Sequence, residues 1–345
     1  MHMADALISP VVGAGGWAAT LGLAGYSARI IKKKIEEPNI ALMGVGAAFV
    51  FAAQMINFSI PGTGSSGHLG GGLILAALLG PHAAYLAMAS ILTIQALFFA
   101  DGGLLSLGCN VFNLAFFPCF LAYPLLFRRL TGGTPSRARL SWVSVVTAVV
   151  GLQLGAMAVV IETQLSGISA LPLREFLLLM LPIHLAIGVV EGLATAAVLM
   201  FVHQARPDVL HFTEAKPPSS KPLIFGLLGC AVLVGAVVSW FASGQPDGLE
   251  WSMEKTSGSA ELESPDTAVY STAADVQKKV SFLPDYKLPN NDETVTVENE
   301  NTASSWPAVD VGTSLSGIVG IALTLLLAGL IGLGIRRRSS VQNQS

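Results

Sequence analysis

Residues 60–100 read IPGTGSSGHLGGGLILAALLGPHAAYLAMASILTIQALFFA. A glycine-rich loop runs into a short apolar segment, Leu69–Leu79. After Gly80 comes Pro81–Ala100, which has no Asp, Glu, Lys or Arg and is long enough to cross a bilayer, for which about 20 residues suffice. At about 1.5 Å per residue the short segment rises only about 17 Å. Whether it counts as a crossing sets the orientation of everything after it.

Outward from this stretch, apolar runs recur along the chain. They are Val11–Ile31, Ile40–Phe58, Leu105–Phe127, Trp142–Ile161, Arg174–Val202, Leu223–Ala242 and Leu315–Ile335. The 345 residues are 52% hydrophobic and 12% charged, against roughly 25% charge in a soluble domain. The fold class expected is therefore an all-α polytopic membrane protein. Nothing resembles a cleaved leader: the first run lacks a basic flank in front and is followed by Lys32-Lys33-Lys34. Cys109, Cys119 and Cys230 all lie inside apolar runs without C-x-x-C spacing, so they read as packing residues and imply no disulfide framework.

Basic clusters orient the bundle. Arg29/Lys32–Lys34, Arg128/Arg129/Arg137/Arg139, Arg206, Lys216/Lys221 and Arg336–Arg338 all fall on one face when nine crossings are counted. The positive-inside rule makes that face cytoplasmic, with the N-terminus outside, the C-terminus inside, and the cytoplasmic (inner) cell membrane as the location. Omitting Leu69–Leu79 breaks the parity. The short segment is thus expected to be a real element, with the loop before it sinking partway into the protein, where irregular backbone at membrane depth is tolerated.

This topology puts the N-terminus and His68 on the same outer face. The chain begins Met1-His2-Met3-Ala4-Asp5. The α-amine of Met1, the His2 amide nitrogen and His2 Nδ1 can close a five- and a six-membered chelate ring on one metal. Displacing an amide proton is favoured by ions that accept square-planar nitrogen fields, chiefly Cu(II) and Ni(II). A bulky second residue is expected to keep the initiator Met in place. His68, among glycines 62, 64, 67, 70, 71 and 72, offers a fourth nitrogen if the terminus tucks into the loop; the alternative is a solvated loop histidine. By this topology His82, His203 and His211 lie near the cytoplasmic side and His184 near the midplane, leaving His2 and His68 for an outer site.

Polar residues gather at the same depth: Gln54, Asn57, Gln95, Asn110, Asn113 and the turn at Asp101. Such residues in hydrocarbon face a bundle interior and are candidates for function, or they serve as interhelical hydrogen bonds. Asp5, Ser66, Gln95, Asp101 and Asn110 are candidates to orient metal ligands from behind. His184 and Glu191, on one helical face, read as a structural or conformational-coupling pair rather than as ligands.

At these residues the chain resembles a known family. Met1-His2, PGTGSSGHLGGG at 61–72, GPHAAYLAMASILTIQALFFADGGLLSLGCNVFN at 80–113 and LPIHLAIGVVEGLATAAVL at 181–199 look like the nickel/cobalt substrate-binding membrane subunit of energy-coupling-factor ABC transporters, the NikM/CbiM family. GQPDGLEWSMEK at 244–255 resembles the PDGLE motif of the accessory NikN/CbiN subunit. The resemblance implies a metal-binding membrane domain at 1–205, a cytoplasmic linker at 206–222 and a PDGLE domain at 223–345 with an outer segment at 243–313. It also implies metal ligation by the Met1 amine, the His2 backbone nitrogen and imidazole, and His68. Cobalt-type members carry His-Pro-Thr-Gly in the loop; His68-Leu69-Gly70-Gly71 is closer to the nickel type. Ni2+ or Co2+ is then transported cargo, and no cofactor is expected.

No G-x-x-x-x-G-K-[ST] sequence is present, so the chain lacks a loop to cradle ATP phosphates. It is not expected to be an enzyme, and two ATP-binding subunits and a membrane coupling subunit are implied partners, with membrane lipid around it and no nucleic acid. Two rival functions are an intramembrane hydrolase using Ser65 or Ser66, for which no G-x-S-x-G elbow exists, and a proton-coupled secondary carrier using His184 and Glu191. The stretch 243–313 carries thirteen acidic and four basic residues, which predicts a mobile segment with short strands at most, apart from PDGLEW at 246–251, expected to dock on the core near the metal recess.

Overall fold

The computed structural model describes residues 1–32, 37–133, 135–205, 221–288 and 306–342, with the backbone alone for 37–39 and 337–342. Most of the linker at 206–222, Lys33, Lys34, Arg206, His211 and Lys216 lie outside the described residues.

Each apolar run forms a helix. They are α1 (Pro10–Ile31), α2 (Glu37–Gln54), α3 (Gly72–Leu79), α4 (Pro81–Phe98), α5 (Leu107–Thr131), α6 (Arg137–Ser166), α7 (Leu173–Ala205), α8 (Lys221–Ala236) and, after two further helices described below, the C-terminal helix Val311–Gln342. Local chemistry sets their ends. Ser9 Oγ accepts from Val12 N ahead of Pro10 at the first turn of α1, and Ser136 Oγ accepts from Arg139 N at the start of α6. Within α5, Pro118 and Pro124 lack an N–H, and the wider π-helical hydrogen bonding over Phe112–Phe127 absorbs the gap.

Among the described residues, five helical stretches are long and apolar enough to cross a membrane: Pro81–Phe98, Leu107–Thr131, Arg137–Ser166, Leu173–Ala205 and Val311–Arg336. Ile40–Gln54 and Lys221–Ala236 are apolar but shorter. Helix α1 has the length but, rich in glycine, is not among the five. The short segment is an eight-residue helix whose residues Gly72–Leu78 are all buried. Before it, the loop folds as an antiparallel hairpin of β1 (Phe58–Ile60) and β2 (Ser65–Gly67), with Ser59 opposite Ser66. Residues 65–67 are buried, so this loop does sink into the protein.

The outer segment corrects the expectation of short strands at most. It contains α9 (Gly248–Ser257) and α10 (Ala268–Val280), so the C-terminal helix is α11 (Val311–Gln342). Acidic composition gave no sign of the stripe that holds α10. Tyr270 and Gln277, two helical turns apart, reach core carbonyls: Tyr270 OH donates to Ile8 O at 2.9 Å, and Gln277 Nε2 to Ala96 O at 2.9 Å and Gly102 O at 2.7 Å. Residues 289–305 of this segment lie outside the described residues.

Helices α6 and α7 pack along each other, and α2 packs against α8 and α11, which joins the C-terminal helices to the bundle. Met1 and Met3 are buried members of the main core. The N-terminus is therefore threaded into the protein.

Candidate metal centre

The N-terminal stretch is held by its own backbone. Met3 N donates to Asn110 Oδ1 at 2.8 Å, and Met3 O accepts from Asn110 Nδ2 at 3.1 Å and from Gly103 N at 3.0 Å. Asp5 Oδ1 accepts from Ser106 N at 2.9 Å. Asn110 thus grips both sides of one residue, and Asp5 ties the N-terminal stretch to the turn that opens α5.

This threading brings the α-amine of Met1 to 3.3 Å from His68 Nε2 and 2.8 Å from Asp247 Oδ2. His68 Nδ1 lies 3.2 Å from Leu69 O. A carbonyl can only accept, so Nδ1 carries the proton and the Nε2 lone pair faces the amine. Burial first, then the α-ammonium and His2 charges, push the His68 imidazole down to about 3. It is a neutral base available to a metal. The His2 ring stacks on the His68 ring, with centroids 5.1 Å apart and planes within 8°.

His2 Nδ1 sits 3.1 Å from Asp101 Oδ1, and Asp101 Oδ2 accepts from Tyr286 OH at 2.6 Å. Burial works to raise the Asp101 carboxyl, but the charge and hydrogen bond of His2 and the Tyr286 hydroxyl outweigh it and hold it below the usual carboxylate range. In this arrangement Nδ1 belongs to Asp101, so closing the six-membered chelate ring needs the imidazole to turn away. His2 Nε2 is buried with no hydrogen-bond partner among the described residues.

The loop after His68 is braced from two sides. Gln95 Nε2 donates to Gln54 Oε1 at 2.9 Å, and Gln54 Nε2 to Gly70 O at 2.8 Å, so Gln95 reaches the loop through Gln54. From α7, Glu191 Oε1 accepts from Gly71 N at 3.0 Å. Gly71 adopts φ +77°, and a Cβ there would collide with Val50 Cγ1, so only glycine makes this turn into α3.

The PDGLE motif closes the site. Asp247 caps α9 by accepting from Leu249 N at 2.8 Å and Glu250 N at 2.9 Å through Oδ1, while Glu250 Oε2 accepts from Asp247 N at 2.9 Å. This capping box leaves Oδ2 for the amine. Burial favours the neutral Asp247 acid, yet the α-ammonium and then His68 hold it below the usual carboxylate range. The motif is seated on the hairpin: Ser66 N donates to Pro246 O at 2.8 Å, Ser66 Oγ to Gln245 O at 2.7 Å, and Trp251 Nε1 to Thr63 O at 3.0 Å. A Cβ on Gly248 would lie 2.9 Å from Ile187 Cδ1 and 3.1 Å from His184 Cε1, so glycine lets the start of α9 approach α7.

The structure therefore gathers Met1, His2, His68 and Asp101 at one point, with Asp5 and Asn110 behind the terminus. Ser66 serves the PDGLE junction instead. His184, expected near the midplane, lines one recess with Met1 and His68, because the buried hairpin brings the loop down to α7. Asp247 was missed as a partner of the amine, although Asp247-x-x-Glu250 ahead of an apolar residue is a legible capping signature. Tyr286 left no signal. No group of three or more His, Cys, Asp or Glu side chains among the described residues could hold a metal; the cluster has enough donors only when the terminal backbone nitrogens are counted. Replacing Asn110 with Ala is expected to free the terminus and weaken nickel binding roughly tenfold, as loss of an orienting partner typically does; equilibrium titration of the purified variant checks this.

The family model for the cobalt uptake substrate-specific transmembrane region matches residues 2–209, and that for the PDGLE domain matches residues 221–337. The chain belongs to the cobalt uptake substrate-specific transmembrane (CbiM) family and carries a PDGLE domain behind it. A protein of Archaeoglobus fulgidus assigned as a fused nickel transport protein, NikMN, is 32% identical over 95% of this chain and 96% of its own. The fused nickel transport protein NikMN of Rhodobacter capsulatus is 29% identical over 74% of this chain and 76% of its own. The crystal structure of a truncated transition metal transporter aligns with a TM-score of 0.53 at 30% identity, covering 59% of this chain and 99% of that one. These relatives are transport proteins rather than enzymes.

Proposed function

We propose that this chain is the substrate-binding membrane subunit of an energy-coupling-factor transporter that imports Ni2+, with Co2+ as the close alternative. The ion is captured on the outer face by the Met1 amine, the His2 amide nitrogen and imidazole, and His68 Nε2. The observation that carries this reading is the 3.3 Å approach of the Met1 amine to an oriented His68 lone pair, with the His2 ring stacked alongside. Four nitrogens of this kind suit a square-planar ion. The His68-Leu69-Gly70-Gly71 loop and the NikMN relatives favour nickel.

Polarity supports the orientation. Helix α5 begins at the site, near Asn110, and ends at Arg128/Arg129, while α6 starts from Arg137. The metal recess and these arginines lie at opposite ends of the bundle, as the positive-inside rule asks of an outward-facing site. Energy comes from two ATP-binding subunits and a coupling subunit in the cytoplasmic membrane.

Nickel uptake by cells expressing this chain is expected to require co-expressed coupling and ATPase subunits and to survive collapse of the proton gradient while ATP is maintained. Uptake driven by the proton gradient without those subunits would refute the reading in favour of a secondary carrier. In the same cells, labelling of Arg137→Cys by an impermeant thiol reagent from outside would overturn the orientation.

A further inference from the structure

Two spaces meet at His68. The outer one is a broad vestibule that His2, Asp101 and Tyr286 help to line. The inner one is a small recess, bounded in part by Met1, His68, His184 and Asp247, with room for about one water-sized body. His68 and Asp247 border both spaces, whereas His2 faces only the vestibule and His184 only the recess.

His184 is 1% exposed. Its Nδ1 lies 2.7 Å from Met180 O, one turn back along α7. That carbonyl can only accept, which puts the proton on Nδ1 and the lone pair on Nε2. Nε2 is buried without a hydrogen-bond partner among the described residues. A buried acceptor left unpaired is costly and rare. His68 has the same arrangement, Nδ1 on a backbone carbonyl and Nε2 turned inward. Histidines that ligate metals are held this way, with the other ring N–H donated to a carbonyl or carboxylate.

We propose that His184 Nε2, His68 Nε2 and the Met1 amine form a second, inner position for the same nitrogen-seeking divalent ion. It is occupied when His2 releases the ion from the outer chelate. The proposal rests on the function argued above, and His68 and the amine are shared between the two positions, so the ion passes inward by giving up the His2 imidazole and amide nitrogen, the amide taking back a proton from water, and gaining the His184 imidazole. Glu191, two turns beyond His184 on α7 and bonded to Gly71 N, ties the same helix to the loop that carries His68. A shift of α7 relative to the loop would then move one ligand of the inner set against another.

The test uses the purified full chain with Ni2+ or Co2+ as the only added ligand. His2→Gln, whose bulk keeps the initiator Met and its amine, should lose the outer imidazole and keep weaker binding, with Co2+ d–d absorption showing nitrogen ligation. Adding His184→Ala to that variant should lower the remaining affinity at least about tenfold and change the Co2+ spectrum. His2→Gln/His184→Gln, which keeps a polar side chain, should behave alike and report on the imidazole rather than on packing, with unaltered thermal unfolding as the check on folding. Identical binding in His2→Gln and either double variant would overturn the inner position, as would a His2→Gln protein that bound no metal at all. If the wild-type chain bound neither ion, the proposed function would fall first, a result distinct from either of these.

Discussion

A single residue placed ahead of Met1 is expected to lower nickel affinity by roughly three orders of magnitude, about 4 kcal/mol. The Met1 residue is 4% exposed, and its amine lies within bonding distance of both Asp247 and His68. An added residue has no room there, and it converts the amine into an amide while moving the chelating histidine to position three. That spacing can still chelate metal in a free peptide, but not in this recess. His2→Ala and His68→Ala should act in the same direction. Equilibrium dialysis with a C-terminally tagged protein as reference measures the effect; full affinity in the N-terminally extended protein would remove the amine from the ligand set.

Acid should weaken binding too, because ligand nitrogens must be unprotonated and protons compete with the metal. His68 does not supply that competition in the ordinary range, since its imidazole is pushed down to about 3. The same shift bears on stability. The folded His68 value lies below its ordinary 6.5, so the unfolded chain takes up the proton first as pH falls. The resulting stabilisation is whole above about pH 6.5 and is lost progressively toward pH 3.

The parts of this protein that could be read in advance are those governed by short-range rules. Apolar run length gave the helices, and parity of the basic clusters preserved the eight-residue helix α3, which composition alone would have discarded. The pairing of His2 with His68 followed from counting histidines on one face. Other features depend on tertiary contact. Helix α10 is held by Tyr270 and Gln277 reaching carbonyls far away in the chain, inside a segment whose acidity suggested mobility. That His184 shares a recess with His68 could not be read, because a loop described only as sinking gives no depth; the hairpin that carries it onto α7 rests on the Ser65–Gly67 pairing. Whether His2 Nδ1 binds metal or Asp101 depends on a ring rotation that sequence does not encode.

Asp247→Ala is expected to weaken docking of α9 on the bundle by about 2–5 kcal/mol. One part is the lost helix cap, about 0.5–2 kcal/mol; the other is the charge-assisted bond to the amine, about 1.5–3 kcal/mol. Removal also leaves the Met1 ammonium buried without its carboxylate, the costly way to break such a pair. Asp247→Asn keeps an acceptor for Leu249 N and Glu250 N and should lose only the second part. Hydrogen exchange at the amides of 248–257 reads this directly, with protection falling about 30-fold or more in the alanine variant for each 2 kcal/mol lost. The carboxyl is held below the usual carboxylate range by the ammonium and His68, against its burial. Its contribution is therefore present above about pH 4 and lost as pH falls through the lower folded value. Metal reverses the balance, because coordination requires the amine without its extra proton and so removes the charge that Asp247 holds. Nickel should accordingly loosen the Asp247 contact while the bonds from Ser66 and Trp251 keep α9 in place. Equal exchange protection in wild type and Asp247→Ala would mean that those neighbouring bonds carry the docking by themselves.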